Sequence, residues 1–265
     1  MRGLGYRPDP PKLAGERADF DARSRVMAAA IPARSENRRL VTSVLDQGGL
    51  GSCVANAVLQ AVRASHVRQG VDMPALGSRL MLYYLARAQL GETQVDGGTF
   101  IRLAFESLNR FGFAPETMWP YTDQGEQWRT KPGNEVFHAA HDQRSRAAVP
   151  TRYYRIYETG FDRVAVVKLA LAAGYLVAFG SPVSLAFCRG ELGTAPLGPF
   201  AESTWAGRHA QTIVDHEGDR FRVVNSWGTG FGDGGFWHAR ADFVAWDEFR
   251  DPWIVEAAPY YSGAA

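Results

Sequence analysis

Cysteine, long apolar runs and unbalanced charge are all scarce in this chain, and each scarcity excludes a class of protein. Two cysteines among 265 residues, Cys53 and Cys188, cannot build a disulfide framework, so a reducing compartment is permitted. No stretch approaches the roughly 18 apolar residues of a membrane-spanning helix. The opening MRGLGYRPDPPK also lacks the roughly 7–15-residue apolar core of a secretory signal. A cytoplasmic protein is expected, or one released by a non-classical route such as inside a phage particle. A net charge of +1 with 22% charged residues gives no field that would gather a polyanion, and Glu36 interrupts the densest basic stretch, Arg34 to Arg39. Neither nucleic acid nor membrane is expected as a partner. Internal repeats and low-complexity segments are lacking too.

What is present is a chain long enough to bury roughly 70–75% of its unfolded surface, with no need of a metal or disulfide staple. No cofactor is expected. Residues 1–40 are rich in Pro, Arg and Asp and weakly periodic, so they read as an arm laid over the surface, with a short helix near Ala22 to Ala30. Asp9-Pro10-Pro11 forbids helix locally. Apolar spacing then predicts helices from Cys53 to about Gln69, over Arg79 to Leu90, and from Thr99 to Phe111. A polar stretch from Asp123 to Arg146 bridges outward.

From Thr151 the period shortens. Strands are predicted at Tyr153 to Tyr157, Tyr175 to Phe179, His209 to Val214, Phe221 to Asn225, Gly235 to Ala239 and Trp253 to Glu256, with a helix over Arg163 to Ala173. A Gly/Pro-rich loop spans Ser184 to Gly207, and Glu217-Gly218-Asp219 and Asp233-Gly234-Gly235 are hairpin signals. Helices first and strands second imply an α+β chain of two lobes: an arm (1–40), a helical lobe (41–150) and a β-rich lobe (151–265).

One stretch carries chemistry: Gln47-Gly48-Gly49-Leu50-Gly51-Ser52-Cys53. Cys53 falls on the first turn of a helix, where unpaired N–H groups and the dipole favour a thiolate, and Ser52 is placed to cap it. The glycine loop lets Gln47 aim its amide at the same point, as half of an oxyanion hole. Downstream, Gly207-Arg208-His209-Ala210 opens one strand and Asn225-Ser226-Trp227-Gly228 ends its neighbour, so a hairpin can bring His209 beside Asn225. One imidazole nitrogen then faces the sulfur while the Asn amide oxygen fixes the other. A buried structural cysteine is the plain alternative for Cys53 taken alone.

With Asp96-Gly97-Gly98 between them, these motifs resemble those of the papain family of cysteine peptidases, in the same chain order, over about residues 30–257. The resemblance implies a two-lobe α+β fold, with a helical lobe, an antiparallel β-barrel-like lobe and a cleft between them. It implies Cys53 as nucleophile, His209 as base and then acid, Asn225 orienting His209, and Gln47 with the Cys53 N–H as oxyanion hole. Trp227 would shield the His209–Asn225 bond, and Gly97 and Gly98 would pair with a polypeptide substrate as an added strand. Arg208 could bias the cleft toward acidic or polar side chains.

The chain departs from the family where Leu50 replaces a disulfide cysteine and Val54 an aromatic. The Cys53-to-His209 interval also exceeds the roughly 130–150 residues usual for such enzymes. About 40 residues precede the Gln47 loop, fewer than the family's inhibitory prodomain, so latency through a cleaved prodomain is not expected. The opening Gly5-Tyr6-Arg7-Pro8-Asp9-Pro10-Pro11 looks like that of short bacterial and phage members. Two other readings compete with the peptidase: a Cys/His amidase or acyl transferase acting on cell-wall peptides, and a papain-like binding or virion-assembly module. Cys188 has no partner, and His138 and His141 with Asp142 are only a faint metal pattern, so no metal site is expected.

Overall fold

The structure, a computed structural model, describes residues 2–10, 31–71, 75–146, 151–193 and 195–258. The expected helix near Ala22 to Ala30 lies outside the described residues. Helices come first: α1 (Cys53–Arg68), α2 (Arg79–Ala88), α3 (Ile101–Phe111) and α4 (Asn134–Arg146). The β-rich half follows as β1 (Arg152–Arg155), α5 (Gly160–Ala172), β2 (Val177–Ser184), α6 (Leu185–Cys188), β3 (Trp205–Glu217), β4 (Arg220–Val224), β5 (Phe236–Arg240), α7 (Ala241–Ala245) and β6 (Arg250–Glu256). The strands form one antiparallel sheet in the order β1-β6-β2-β3-β4-β5. Among the described residues no helix is long and apolar enough to cross a membrane.

Two large apolar cores hold the described residues together, with two smaller clusters beside them. One gathers Phe179, Ile213, Phe221, Trp227, Trp237 and Ile254 of the sheet half with Val167 and Leu171 of α5. The other gathers Val54, Val58, Leu82, Ile101 and Phe105 of α1 to α3, and reaches across to Ala210 and Trp253 of the sheet. Helix α1 is apolar nearly all round because it is the seam between them. Each fully buried Val or Leu contributes about 1.5–3 kcal/mol, and Thr212 Oγ1 adds a 3.1 Å bond to the Ala57 carbonyl. The first turn of α1, and Cys53 with it, is therefore pinned against β3.

The structure corrects several expectations. The polar stretch before Arg146 contains α4, which buries only Val136 and Ala140 against Met81, Leu85 and Ala114. A two-residue apolar stripe in a charged helix is too narrow to register as periodicity. Helix α3 begins at Ile101 rather than Thr99, because Thr99 is engaged as an extended partner of the N-terminal segment. Strand β2 runs on through Pro182 to Ser184, and β3 begins at Trp205, so His209 lies inside a strand, opposite Ser181.

Candidate active site

The motif loops meet through their backbones. Gln47 N–H donates to the Ser226 carbonyl at 2.9 Å and Gly228 N–H to the Leu45 carbonyl at 2.9 Å, which joins the loop before Cys53 to the loop after β4. Strand β3 passes beside both, and the Ala210 N–H hydrogen-bonds toward the Cys53 sulfur. Thr212 and Val224 are register partners of β3 and β4. This register sets His209 next to Asn225, and a 2.8 Å hydrogen bond links His209 Nε2 to Asn225 Oδ1. The remaining ring nitrogen, Nδ1, is buried and has no hydrogen-bond partner among the described residues. Trp227 lies against the imidazole, with ring centroids 4.6 Å apart at 27°, and is itself wholly buried.

Gln47 is held at both ends of its amide. Ser226 Oγ donates to Gln47 Oε1 at 2.6 Å, which points Nε2 at the Gly3 carbonyl (3.1 Å) and the Leu50 carbonyl (2.7 Å). Ser226 is a positioning residue that the motif reading passed over; its place inside Asn225-Ser226-Trp227 was the available signal. Ser52 sits at the N-cap position of α1 but makes no side-chain cap. Its hydroxyl pairs instead with Tyr121 at 2.6 Å and accepts from Asn56 at 3.2 Å. Beside Leu50, which stands where the family carries a disulfide cysteine, both oxygens of the Asp96 carboxylate accept from the Gly51 N–H, at 3.0 and 3.1 Å.

The largest departure concerns residues 2–9. Rather than lying on the outer surface, they thread the cleft between the lobes and cover the site. Gly3 N–H donates to the Gly48 carbonyl, Tyr6 N–H to the Arg208 carbonyl, Thr99 N–H to the Gly5 carbonyl and Arg7 N–H to the Thr99 carbonyl. Tyr6 and Thr99 form a parallel bridge. Gly5 is obligatory here, since a Cβ on it would stand 1.8 Å from the Gly51 carbonyl oxygen. Of the expected substrate glycines, Gly97 accepts Arg7 Nε at 2.8 Å and Gly98 packs under Gly5, while Thr99 makes the added-strand pair. The Arg208 guanidinium is paired with Glu248 and stacked over Trp205, so its charge is already answered; its carbonyl is what meets the arm.

Burial under the arm inverts the expected ionisation. Cys53 and His209 are both fully buried. Burial pushes the Cys53 thiol up to about 11, against the pull of N–H groups from Ala210, Gly5, Val54 and Cys53 itself. Burial likewise lowers His209 to about 4, partly offset by its bond to Asn225. The covered state therefore holds a neutral thiol beside a neutral imidazole, although the helix start alone favours a thiolate.

No family model matches the chain. It is 30% identical over 233 residues to a peptidase C1-like protein of Acanthamoeba polyphaga mimivirus, covering 83% of this chain and 73% of that protein. Its fold matches xylellain, a cysteine protease from Xylella fastidiosa, with a TM-score of 0.82, 25% identity and 97% of both chains covered. It also matches the Carica candamarcensis cysteine protease CMS1MS2, solved with E-64, with a TM-score of 0.61 and 19% identity over 86% of this chain and 100% of that one. Shared sequence over most of a C1-like relative, with the fold of a solved cysteine protease, places this chain in the papain-like C1 family of cysteine peptidases.

Proposed function

We propose that Cys53 attacks the carbonyl carbon of a peptide bond, with His209 as its proton partner, Asn225 holding the imidazole, and Gln47 Nε2 with the Cys53 N–H receiving the oxyanion. The supporting observation is the His209–Asn225 hydrogen bond beside the Ala210 N–H that is directed at the Cys53 sulfur, with Ser226, next to Asn225, holding the Gln47 amide. With the arm displaced and water admitted, the thiol proton passes to His209 and the thiolate adds to the carbonyl. Collapse of the adduct breaks the C–N bond, and His209 gives its proton to the leaving amine. Water, deprotonated by His209, then hydrolyses the thioester and the proton returns to sulfur. A bacterial or phage source is part of this reading, supported by the likeness to xylellain of Xylella fastidiosa.

In this reading the covering arm restrains the site. The Gly5 N–H is directed at the Cys53 sulfur, so the docked arm occupies the place a substrate would take. Gln47→Ala, measured with a dipeptidyl fluorogenic amide, should lower kcat by roughly 10²–10³, the cost of one oxyanion donor; an unchanged kcat removes Gln47 from the site. Ser226→Ala should give a smaller loss in kcat with little change in KM.

Arm docking should also respond to acid. Burial, followed by the charge of Asp251, raises Asp9 from 3.8 to about 6, opposed by Arg155 and Arg102 and reinforced by Glu106. A raised carboxyl means that the docked arm holds the proton more tightly than the released arm. Docking is strongest below about pH 4, weakens as pH climbs to about 6, and is constant above that. Activity gated by the arm should rise across this window, and Asp9→Asn should remove that step from the pH–rate profile. An identical profile in the variant contradicts the link.

A further inference from the structure

Arg79 is the first residue of α2 and is buried, at 8% exposure, a costly place for a guanidinium unless its donors are engaged. Here the fork is filled. Glu116 accepts Nε on Oε2 at 2.8 Å and Nη2 on Oε1 at 2.6 Å, a bidentate pair that fixes the plane of the group. The Tyr121 ring packs against that plane, its centre 3.9 Å from the guanidinium carbon. What remains is Nη1, which donates to the Asp46 carbonyl at 2.8 Å and to Asn56 Oδ1 at 3.1 Å. Both bonds point at the loop that carries Gln47, and the ion pair with Glu116 requires neither of them.

The bond to Asn56 starts a series whose direction is fixed. With Oδ1 turned to the guanidinium, Asn56 Nδ2 donates to Ser52 Oγ at 3.2 Å and to the Ser52 carbonyl at 3.0 Å. Tyr121 Oη donates to the Gln47 carbonyl at 2.8 Å, and a phenol has one proton to give. Ser52 Oγ is therefore the donor in its 2.6 Å bond to Tyr121. The series runs from Arg79 through Asn56, Ser52 and Tyr121 to Gln47, each bond polarising the next. Nη1 at its start also holds the carbonyl of the residue before Gln47, and its last bond holds Gln47's own carbonyl.

We propose that Arg79 is a positioning residue for the oxyanion hole: it sets the backbone on either side of the Gln47 side chain, and so the place of Nε2, without touching substrate. Ser226 decides which way the amide turns; Arg79 decides where it stands. This rests on the peptidase reading above, in which Gln47 Nε2 receives the oxyanion. Lysine at this position keeps the charge, but a point charge on a flexible stem cannot give Glu116 two parallel bonds and also hold the Asp46 carbonyl and Asn56.

The test is a double-mutant cycle on kcat, read with a dipeptidyl fluorogenic amide in the full chain carrying Tyr6→Ala, so that arm docking does not limit the rate. Arg79→Lys should lower kcat by about 10–100-fold with little change in KM, the scale of a displacement of about 1 Å beside the reacting atoms. In a Gln47→Ala background the same change should alter kcat by about twofold or less, because the group it positions is gone. If Arg79→Lys fails to fold, Tyr121→Phe takes its place in the cycle: it keeps the ring against the guanidinium and removes the donor to Gln47, so kcat should fall severalfold beside native Gln47 and stay level in the Gln47→Ala background. An unchanged kcat beside native Gln47, or an equal loss in both backgrounds, overturns the assignment and leaves the peptidase reading intact. No hydrolysis by the Tyr6→Ala parent, or an unchanged kcat in Gln47→Ala, overturns the reading beneath it and the assignment with it.

Discussion

Cys53→Ala should reduce peptide hydrolysis by roughly 10⁶-fold, the scale on which loss of a covalent nucleophile removes the whole catalytic unit. The argument is one of position. Sulfur at residue 53 sits on the first turn of α1, a helix clamped along its length between two cores, and receives N–H groups from β3 and from its own turn. Nothing else near His209 can form a thioester, since Cys188 lies on α6 and is only half-buried in the sheet-side core. The same substitution should leave circular dichroism and thermal unfolding nearly unchanged. Adding His209→Ala to Cys53→Ala should cost almost nothing more, as expected of groups that act together. Retained hydrolysis in Cys53→Ala would remove the thioester route.

The second large effect runs the other way. Tyr6→Ala should raise kcat/KM by roughly 100-fold or more. Truncating a buried aromatic side chain costs about 3–5 kcal/mol, here with loss of the phenol–Asp251 bond as well, and each 1.4 kcal/mol is tenfold in the docking equilibrium. If only the released fraction binds substrate, apparent activity scales with that fraction until it saturates. The rise should come with a second signature: a synthetic peptide of residues 2–9 should inhibit the Tyr6→Ala chain, and its Tyr-to-Ala version should not. An unchanged rate with Tyr6→Ala would mean that arm docking does not limit access.

The parts legible in the sequence were those fixed by short local patterns. Gln47, Cys53, His209 and Asn225 each sit in a motif whose residue types suit the proposed reaction. The strand periods then sufficed to set His209 beside Asn225, and the Gln47 loop is tied to Ser226. The arm was not legible. Gly3-Leu4-Gly5-Tyr6 has no period of its own; its conformation comes from the cleft it enters, where Gly5 fits because Gly51 leaves no room for a side chain. Asp251 was hidden for a similar reason, since it meets the Tyr6 phenol only when β6 pairs with β2 and Arg155 comes across from β1. Helix α4 was hidden by its charge. Ser52 looked like a cap because its type and position suit one, yet Tyr121 and Asn56 compete successfully for its hydroxyl.

The ionisation of Cys53 shows how a sound local argument can be overruled. A helix N-terminus offers a thiolate about 0.3–1 kcal/mol at exposed sites, whereas complete burial beneath the arm acts in the opposite direction and more strongly. The same residue should therefore be inert when covered and reactive when released.

The pH dependence of Cys53 alkylation by iodoacetamide, compared between the intact chain and Tyr6→Ala, tests this directly. Cys188→Ser in both backgrounds keeps the signal specific. The account predicts slow alkylation of the intact chain at neutral pH, rising only toward the alkaline range, and fast alkylation of Tyr6→Ala that persists to about pH 5, as a thiolate–imidazolium pair requires. Fast alkylation of the intact chain at pH 5, or slow alkylation of both chains up to the free-thiol pKa of about 8.5, would contradict it.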